Sequence, residues 1–171
     1  VYRAKRVICH NLAMEDVVNI ATDSPENLLD TIRGWGDDLG FQALGFTGIE
    51  LNQHSDYLDK WIQAGYHGEM AWMARHGDKR SRPEVLMPGT CTVITARMDY
   101  LPEGADPSAI LAQSDKAYIS RYALGRDYHK LIRSRLAKLA KKIETHLGGG
   151  HYRAFVDSAP VLERALAENA G

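Results

Sequence analysis

The feature that most constrains the fold is a long amphipathic helix predicted over Tyr128–Leu147. Apolar residues recur along it at intervals of three or four positions and form one stripe: Ile132, Leu136, Leu139, Ile143 and Leu147. Gly148–Gly150 ends the helix, and the apolar run Tyr152–Val156 follows as a predicted strand. A one-faced helix followed at once by a strand is typical of a domain in which helices pack on a sheet.

The rest of the chain continues this alternation. Further helices are predicted over about Ser24–Leu39, Asp56–Ala64, Met70–His76 and Val161–Ala170, the last opened by Pro160. Further strands are predicted over Phe41–Thr47, which Gly45 weakens, over Thr90–Tyr100 and over a short Tyr118–Tyr122. The sequence therefore predicts one α/β domain of helix and sheet layers (α+β layered) over residues 23–171.

Residues 1–22 match nothing that follows them. We expect them to be an N-terminal extension that is either disordered or an artefact of gene assignment, and Met14 is a candidate natural start. They lack the long apolar core of a signal peptide. No segment of the chain approaches the run of about 20 apolar residues that spans a bilayer. We therefore expect a cytoplasmic protein with no membrane partner.

Charge and metal-ligating residues narrow the possible partners. The 171 residues carry a net charge of −1, so overall electrostatics favours no class of partner. Cys9 and Cys91 are far apart and neither belongs to a CxxC pair, so cysteines alone cannot build a zinc or iron–sulfur site. His67, Glu69 and His76 lack the spacing of a helical ligand pair. No metal site is predicted from the side chains of this chain.

One carboxylate lies where a catalytic acid could act. Asp157 comes directly after the predicted strand Tyr152–Val156 and before the closing helix, and the C-terminal end of a strand is where α/β folds place chemistry. Burial in an apolar pocket would favour the protonated acid, and a nearby cation such as Arg164 would favour the carboxylate. From local sequence alone, an aspartate here more often forms a turn or caps a helix than acts as a catalyst. The residues by themselves leave both interpretations open.

Two donor-rich segments could bind anions. Ser120–Lys130 concentrates hydroxyl, guanidinium and imidazole groups at the start of the long helix, where a phosphate or a cofactor carboxamide could bind. The loop Asp78–Pro88, which contains Arg80, could make similar contacts. In the alternative interpretation both are solvated loops, the first of them capped by Asp127.

The long helix also carries a run of cations with no acid before Glu144. We call these residues the basic face: Lys130, Arg133, Arg135, Lys138, Lys141 and Lys142. Such a face can follow a nucleic-acid backbone through phosphate contacts, and it can also be solvated surface without a partner.

Four stretches together resemble one enzyme family. They are YHGEMAWMARHGDKRSRPEVLMPGT (Tyr66–Thr90), RMDYLP (Arg97–Pro102), YISRYALGRDYHKLIRSRL (Tyr118–Leu136) and FVDSAPVLERALAENAG (Phe155–Gly171). From about residue 28 to its end, the chain resembles the N-terminal part of epoxyqueuosine reductase, the bacterial enzyme of the last step in queuosine synthesis. Residues 1–22 are outside the resemblance.

The resemblance implies a cobalamin-dependent oxidoreductase. It would reduce epoxyqueuosine to queuosine at the wobble position of the tRNAs for aspartate, asparagine, histidine and tyrosine. The implied fold is similar to the cobalamin-binding domain of reductive dehalogenases and related to nitroreductases. The family's acid falls on Asp157, which would protonate the epoxide oxygen or the leaving hydroxyl, and its cobalamin contacts fall on Arg80, Ser120, Asp157 and Arg164. The basic face would hold the anticodon stem, with the substrate base splayed into the pocket.

The sequence also departs from the family pattern. The family continues past the position of Gly171 into a Gly-Trp-x-Gly-Lys type segment and a ferredoxin-like domain with two [4Fe–4S] clusters, and each cluster needs four thiolates. We therefore expect a partial cobalamin-binding domain, truncated before the iron–sulfur domain, that is monomeric, binds no DNA and cannot complete turnover alone. Two alternatives stay open. They are a non-catalytic corrinoid- or RNA-binding fragment and a flavin reductase of the nitroreductase type.

Overall fold

The computed structural model describes residues 3–11, 25–100, 104 and 106–171, with the backbone alone for residues 3–11 and 25. Its strands are β1 (Arg3–Asn11), β2 (Ala43–Thr47), β3 (Thr92–Asp99) and β4 (His151–Phe155). Its helices are α1 (Pro25–Asp38), α2 (Asn52–Gln63), α3 (Trp72–Arg75), α4 (Pro83–Leu86), α5 (Pro107–Leu111), α6 (Tyr128–Leu147) and α7 (Glu163–Asn169). Short 3-10 turns lie at Gly77–Arg80 and Arg121–Ala123.

The four strands form one sheet in the order β2-β3-β1-β4, and each neighbouring pair runs antiparallel. The prediction of a mixed, layered arrangement of helices and sheet is confirmed at this level. The antiparallel pairing means, however, that the rule placing ligands at the carboxyl ends of parallel strands does not account for the position of Asp157. That position depends instead on the loop between β4 and α7.

Helices cover both faces of the sheet. On β3, Ile94 and Ala96 belong to the core under α1 and α6, whereas Val93 belongs to a second core under α7, as the alternation of side chains along a strand requires. The apolar stripe predicted for α6 is buried at each of its positions: Ile132, Leu136, Leu139, Ile143 and Leu147. Within the part of the chain that the structure describes, no helix is both long and apolar enough to cross a membrane.

Strand β1 falls within residues 1–22, which the sequence indicated to be an extension outside the domain. The structure pairs Arg3–Asn11 with β3 on one side and with β4 on the other. Residues 12–22 lie outside the described residues. The register aligns Val7 with both Thr95 and Phe155, so β1 occupies the position between the two strands that flank it.

Three local predictions are wrong. The predicted strand Tyr118–Tyr122 is instead irregular and enters a 3-10 turn, in which the amide of Ala123 donates to the carbonyl of Ser120 at 2.9 Å. The predicted loop Asp78–Pro88 contains most of a 3-10 turn and all of α4, where a proline occupies the first turn. Helix α7 begins at Glu163 rather than just after Pro160, because Leu162 has non-helical dihedral angles (φ −78°, ψ 69°) and serves as the N-cap.

Candidate functional site

Asp157 is exposed and directly follows the fully buried Val156. Strand β4 ends at Phe155, and Val156 is fully buried in the core under α6. Asp157 then adopts a left-handed backbone conformation with φ of 58°, which aspartate tolerates better than most residues. The chain therefore leaves the sheet at this residue, and the carboxylate side chain remains 37% exposed.

The start of α6 contacts this carboxylate through two side chains. The hydroxyl of Tyr128 donates to Oδ2 of Asp157 at 2.7 Å. Nε2 of His129 lies 3.3 Å from the same oxygen. The rings of Tyr128 and His129 stack at a centroid distance of 4.1 Å, so each side chain restricts the other. Two neighbouring residues of α6 thus contact Asp157 across a separation of about 30 residues in the chain.

Asp127 extends the same set of contacts by one residue. It is the N-cap of α6, and its Oδ1 accepts from the backbone amide of His129 at 2.9 Å. The same Oδ1 lies 2.9 Å from Nδ1 of His129. The hydrogen bonds from the ring and then from the amide of His129 lower the pKa of Asp127, and the charge of Lys130 adds a smaller effect in the same direction. The predicted cap is confirmed, and His129 lies between two carboxylates.

An open cleft of about 1010 Å³ lies on one side of Asp157. Arg80 and Arg164, two of the residues indicated by the family resemblance, line it together with Asp157. Its wall from α2 and the α3 segment is largely aromatic and contains His54, Tyr57, Leu58, Trp61, Trp72, Met73 and His76. The remainder comes from the loop after Asp157 and from the first turns of α7. A cleft that combines aromatic walls with a few polar groups is a usual form for a ligand site.

Arg80 is buried, and its guanidinium bonds to the protein itself. Nε donates to the carbonyl of Met73 and Nη2 to the carbonyl of Trp72, both at 3.1 Å. The guanidinium also lies over the Trp72 ring at 5.3 Å. Burial lowers the pKa of the Arg80 guanidinium. Because its carbonyl accepts from Leu162, Arg80 links the α3 segment to the start of α7, and it holds an aromatic wall of the cleft in place.

The two remaining predicted residues differ in position. Arg164 is exposed at the second position of α7 and lines the cleft. Ser120 is exposed before the 3-10 turn Arg121–Ala123 and is not among the residues that line the cleft. The nearby Tyr122 packs edge-on against Tyr128 at 6.4 Å, so the Ser120 segment lies next to a residue that contacts Asp157.

The basic face is partly engaged by the protein. Arg133 donates to the hydroxyl of Ser158 at 3.4 Å. Lys141 pairs with Glu144 at 3.0 Å, and Lys142 lies 4.0 Å from Asp38. Lys130 and Lys138 are exposed. Among the described residues, no group of three or more His, Cys, Asp or Glu side chains is arranged to hold a metal ion.

Sequence reasoning missed the roles of Tyr128 and His129 at Asp157. Both residues were noted as donors in the Ser120–Lys130 segment, and the only signal for them was this density of donors. The contact joins residues 29 positions apart in the sequence, so local patterns could not reveal it.

Known proteins match this chain over most of its length. A family model described as "Epoxyqueuosine reductase QueG, DUF1730" matches residues 80–158. The epoxyqueuosine reductase of Pseudomonas aeruginosa is 56% identical over 153 residues, which are 90% of this chain and 42% of that protein. The epoxyqueuosine reductase of Escherichia coli is 52% identical over 144 residues, which are 84% of this chain and 38% of that protein.

A solved structure supports the fold. The structure of epoxyqueuosine reductase from Streptococcus thermophilus has a TM-score of 0.64 at 23% sequence identity, and the match covers 85% of this chain and 39% of that one. The chain spans about two fifths of the length of the relatives that it matches. These matches confirm that the chain resembles the N-terminal part of epoxyqueuosine reductases, as the four sequence stretches indicated.

Proposed function

We propose that the protein to which this chain belongs reduces epoxyqueuosine to queuosine at the wobble position of tRNA, in the cytoplasm. The observation that carries this proposal is that Asp157, Arg80 and Arg164 line one cleft in a chain 56% identical to an epoxyqueuosine reductase. The relatives are longer than this chain, so the activity belongs to the complete protein.

In this proposal Asp157 is the proton donor. Opening an epoxide or expelling a hydroxyl leaves a poor alkoxide or hydroxide unless a nearby acid supplies a proton. Asp157 lies at the edge of the cleft and is 37% exposed, so a substrate oxygen can reach it. The bond from Tyr128 and the contact with His129 limit the motion of the carboxyl group, which a positioned proton donor requires.

The residues of the cleft fit a large cofactor with a flat apolar body and polar edges, such as cobalamin. A volume of about 1010 Å³ is sufficient for a substantial part of such a ligand, and the Trp72 wall offers an apolar surface. When bound, cobalamin supplies a strongly nucleophilic low-valent cobalt. Arg164 and Asp157 would contact it directly, Arg80 would act by holding the Trp72 wall, and Ser120 would contact a part that extends beyond the cleft.

We assign no ligand of the two [4Fe–4S] clusters to this chain. Each cluster needs four thiolates, and the sequence has two cysteines. The proposal for tRNA depends on the exposed lysines of the basic face, which could contact phosphates of the anticodon stem: Lys130, Lys138, Lys141 and Lys142.

Asp157→Asn in the complete protein tests the acid role. Asparagine also tolerates the left-handed conformation and its amide oxygen can accept from Tyr128, so the variant removes mainly the transferable proton. We expect kcat for epoxide reduction to fall by about 10²-fold or more, while cobalamin stays bound. Asp115→Asn, the same change at an exposed turn, should keep the parent rate.

An Asp157→Asn protein with the parent rate would contradict the acid role. If the complete parent protein binds a corrinoid or RNA but reduces no epoxyqueuosine, the alternative of a non-catalytic binding protein replaces the proposal. A bound flavin with no uptake of cobalamin would instead favour the flavin reductase alternative.

A further inference from the structure

We propose that His129 returns a proton to Asp157 after each turnover and that Asp127 sets the protonation of its ring. This inference deepens the proposed function and rests on it, because it assigns positioning residues to the same proton donor. Nε2 of His129 is 3.3 Å from Oδ2 of Asp157, and Nδ1 is 2.9 Å from Oδ1 of Asp127. One imidazole therefore connects a carboxylate on the cleft with a carboxylate outside it.

Asp127 determines which ring nitrogen carries a proton. Its Oδ1 already accepts the backbone amide of His129, and an ionised carboxylate can only accept hydrogen bonds. Nδ1 must therefore be a donor, in the way that carboxylates commonly orient histidine rings in proteins. Nε2 is then the nitrogen that faces Asp157.

This arrangement requires one proton between His129 and Asp157. With Nδ1 protonated toward Asp127, an unprotonated Nε2 next to an ionised Oδ2 would place two lone pairs against each other. The proton resides on Nε2, giving an imidazolium and a carboxylate, or on Oδ2, giving an imidazole and a carboxylic acid. In both forms a proton is stored beside the cleft.

The proton transfers balance without any further reactant except water. Asp157 gives its proton to the substrate oxygen and becomes a carboxylate. The His129 ring is neutral at this point, with its proton on Nδ1 donated to Asp127, and because the ring is 41% exposed, Nε2 takes a proton from hydronium or a buffer acid. The resulting imidazolium passes this proton from Nε2 to Oδ2 of Asp157, which restores the carboxylic acid and a neutral imidazole that keeps its Nδ1 proton.

The groups around the ring favour this role. The contacts of His129 are Asp127 and Tyr128 on its own segment and Asp157 from the loop after β4. Two nearby cations contact or influence the neighbours of His129. The charge of Lys130 lowers the pKa of Asp127. Arg133 donates to the hydroxyl of Ser158, the residue after Asp157. Each ring nitrogen of His129 therefore contacts one carboxylate.

The first experiment needs no catalytic activity. Ring ¹⁵N–¹H spectra of this chain at neutral pH, with the His129 signal identified by its loss in His129→Gln, should show a protected Nδ1 proton. Asp127→Ser keeps an N-cap oxygen but removes the carboxylate, and we expect it to abolish that signal. Asp106→Ser, the same change at the N-cap of α5, should leave it unchanged. A parent ring without an Nδ1 proton, or a signal that survives Asp127→Ser, would overturn the inference.

The second experiment uses the complete protein. His129→Ala should lower kcat for epoxide reduction by about 10²-fold with a much smaller change in KM. Added imidazole should restore the rate in a saturable manner, with the parent measured at the same imidazole concentrations. His151→Ala, at an exposed position of β4, should keep the parent rate.

The outcomes separate the inference from the function on which it rests. A full rate in His129→Ala, or a loss that imidazole does not restore, would reject the relay even though the enzyme is active. If the parent protein does not reduce epoxyqueuosine, the proposed function is rejected. The ring ¹⁵N–¹H spectrum of His129 is then the only test of the protonation that Asp127 imposes on the ring.

Discussion

Gly45 offers the sharpest test of how α7 packs on the sheet. A Cβ atom added at this position of β2 would lie 2.7 Å from the carbonyl oxygen of Ala170 and 2.8 Å from its Cβ. It would also lie 2.8 Å from Oγ1 of Thr95 on β3. Real Cβ atoms essentially never make contacts this short, and one of these neighbours is backbone. Gly45→Ala must therefore move the end of α7 away from the sheet.

The expected loss is the difference between two effects. Forcing an extra methyl group into a packed site costs about 1–3 kcal/mol. Replacing glycine with alanine at a position with an ordinary backbone conformation gains about 0.4–1 kcal/mol by restricting the unfolded chain. We therefore expect Gly45→Ala to lower the free energy of unfolding by about 1–2 kcal/mol. For a domain of this size that is a decrease in Tm of about 2–8 °C.

Thermal and urea unfolding followed by circular dichroism measure this change. Gly34→Ala is the matched control, because it lies in the exposed face of α1 and nothing is within 4 Å of the added atom. Alanine there should stabilise the helix by about 0.5–1 kcal/mol. If Gly45→Ala is as stable as the parent, or gains stability as Gly34→Ala should, the close packing of α7 on β2 is wrong.

Three further predictions follow from the site and the basic face. Arg80→Lys should lower the free energy of unfolding by about 1.5–3 kcal/mol in urea, because lysine cannot bond both carbonyls and stack on Trp72; Arg82→Lys, in an exposed ion pair, should change it by less than about 0.5 kcal/mol. The stability contributed by Asp127 should be present above about pH 4 and lost as the pH falls through its lowered pKa. The acid limb of the stability curve should therefore flatten in Asp127→Asn, and an unchanged limb would contradict this. Charge reversal at three residues of the basic face, Lys138, Lys141 and Lys142, should weaken tRNA binding by the complete protein and reduce the salt dependence of that binding. Unchanged tRNA binding would mean that the basic face is solvated surface without a partner.

Local sequence patterns predicted those helices and strands whose own residues carry a clear periodicity, cap or residue-type preference. The bounds and the buried stripe of α6 agree with its periodicity, and Asp127 caps it as its residue type indicates. Strand β3 was predicted to within two residues because of its β-branched run. The short segment Tyr118–Tyr122 failed because five residues carry little pattern, and its aromatic residues suit a turn as well as a strand.

Gly45 shows how a sequence signal can be noticed and misjudged. In the sequence it only weakens a predicted strand. In the structure it is the position where the end of α7 approaches β2 too closely for any side chain. Arg80 is a similar case, since the loop sequence indicated an anion contact and the structure directs its guanidinium to two backbone carbonyls.

The sequence by itself determined the amphipathic α6, its Asp127 cap, the carboxylate Asp157 at a strand end and the resemblance to epoxyqueuosine reductases. These properties depend on residue type and spacing within short segments. Only the tertiary structure decided the antiparallel order of the sheet and the contacts of Tyr128 and His129 with Asp157. Such contacts join segments far apart in the chain, and the burial of both helical layers against the sheet brings them together.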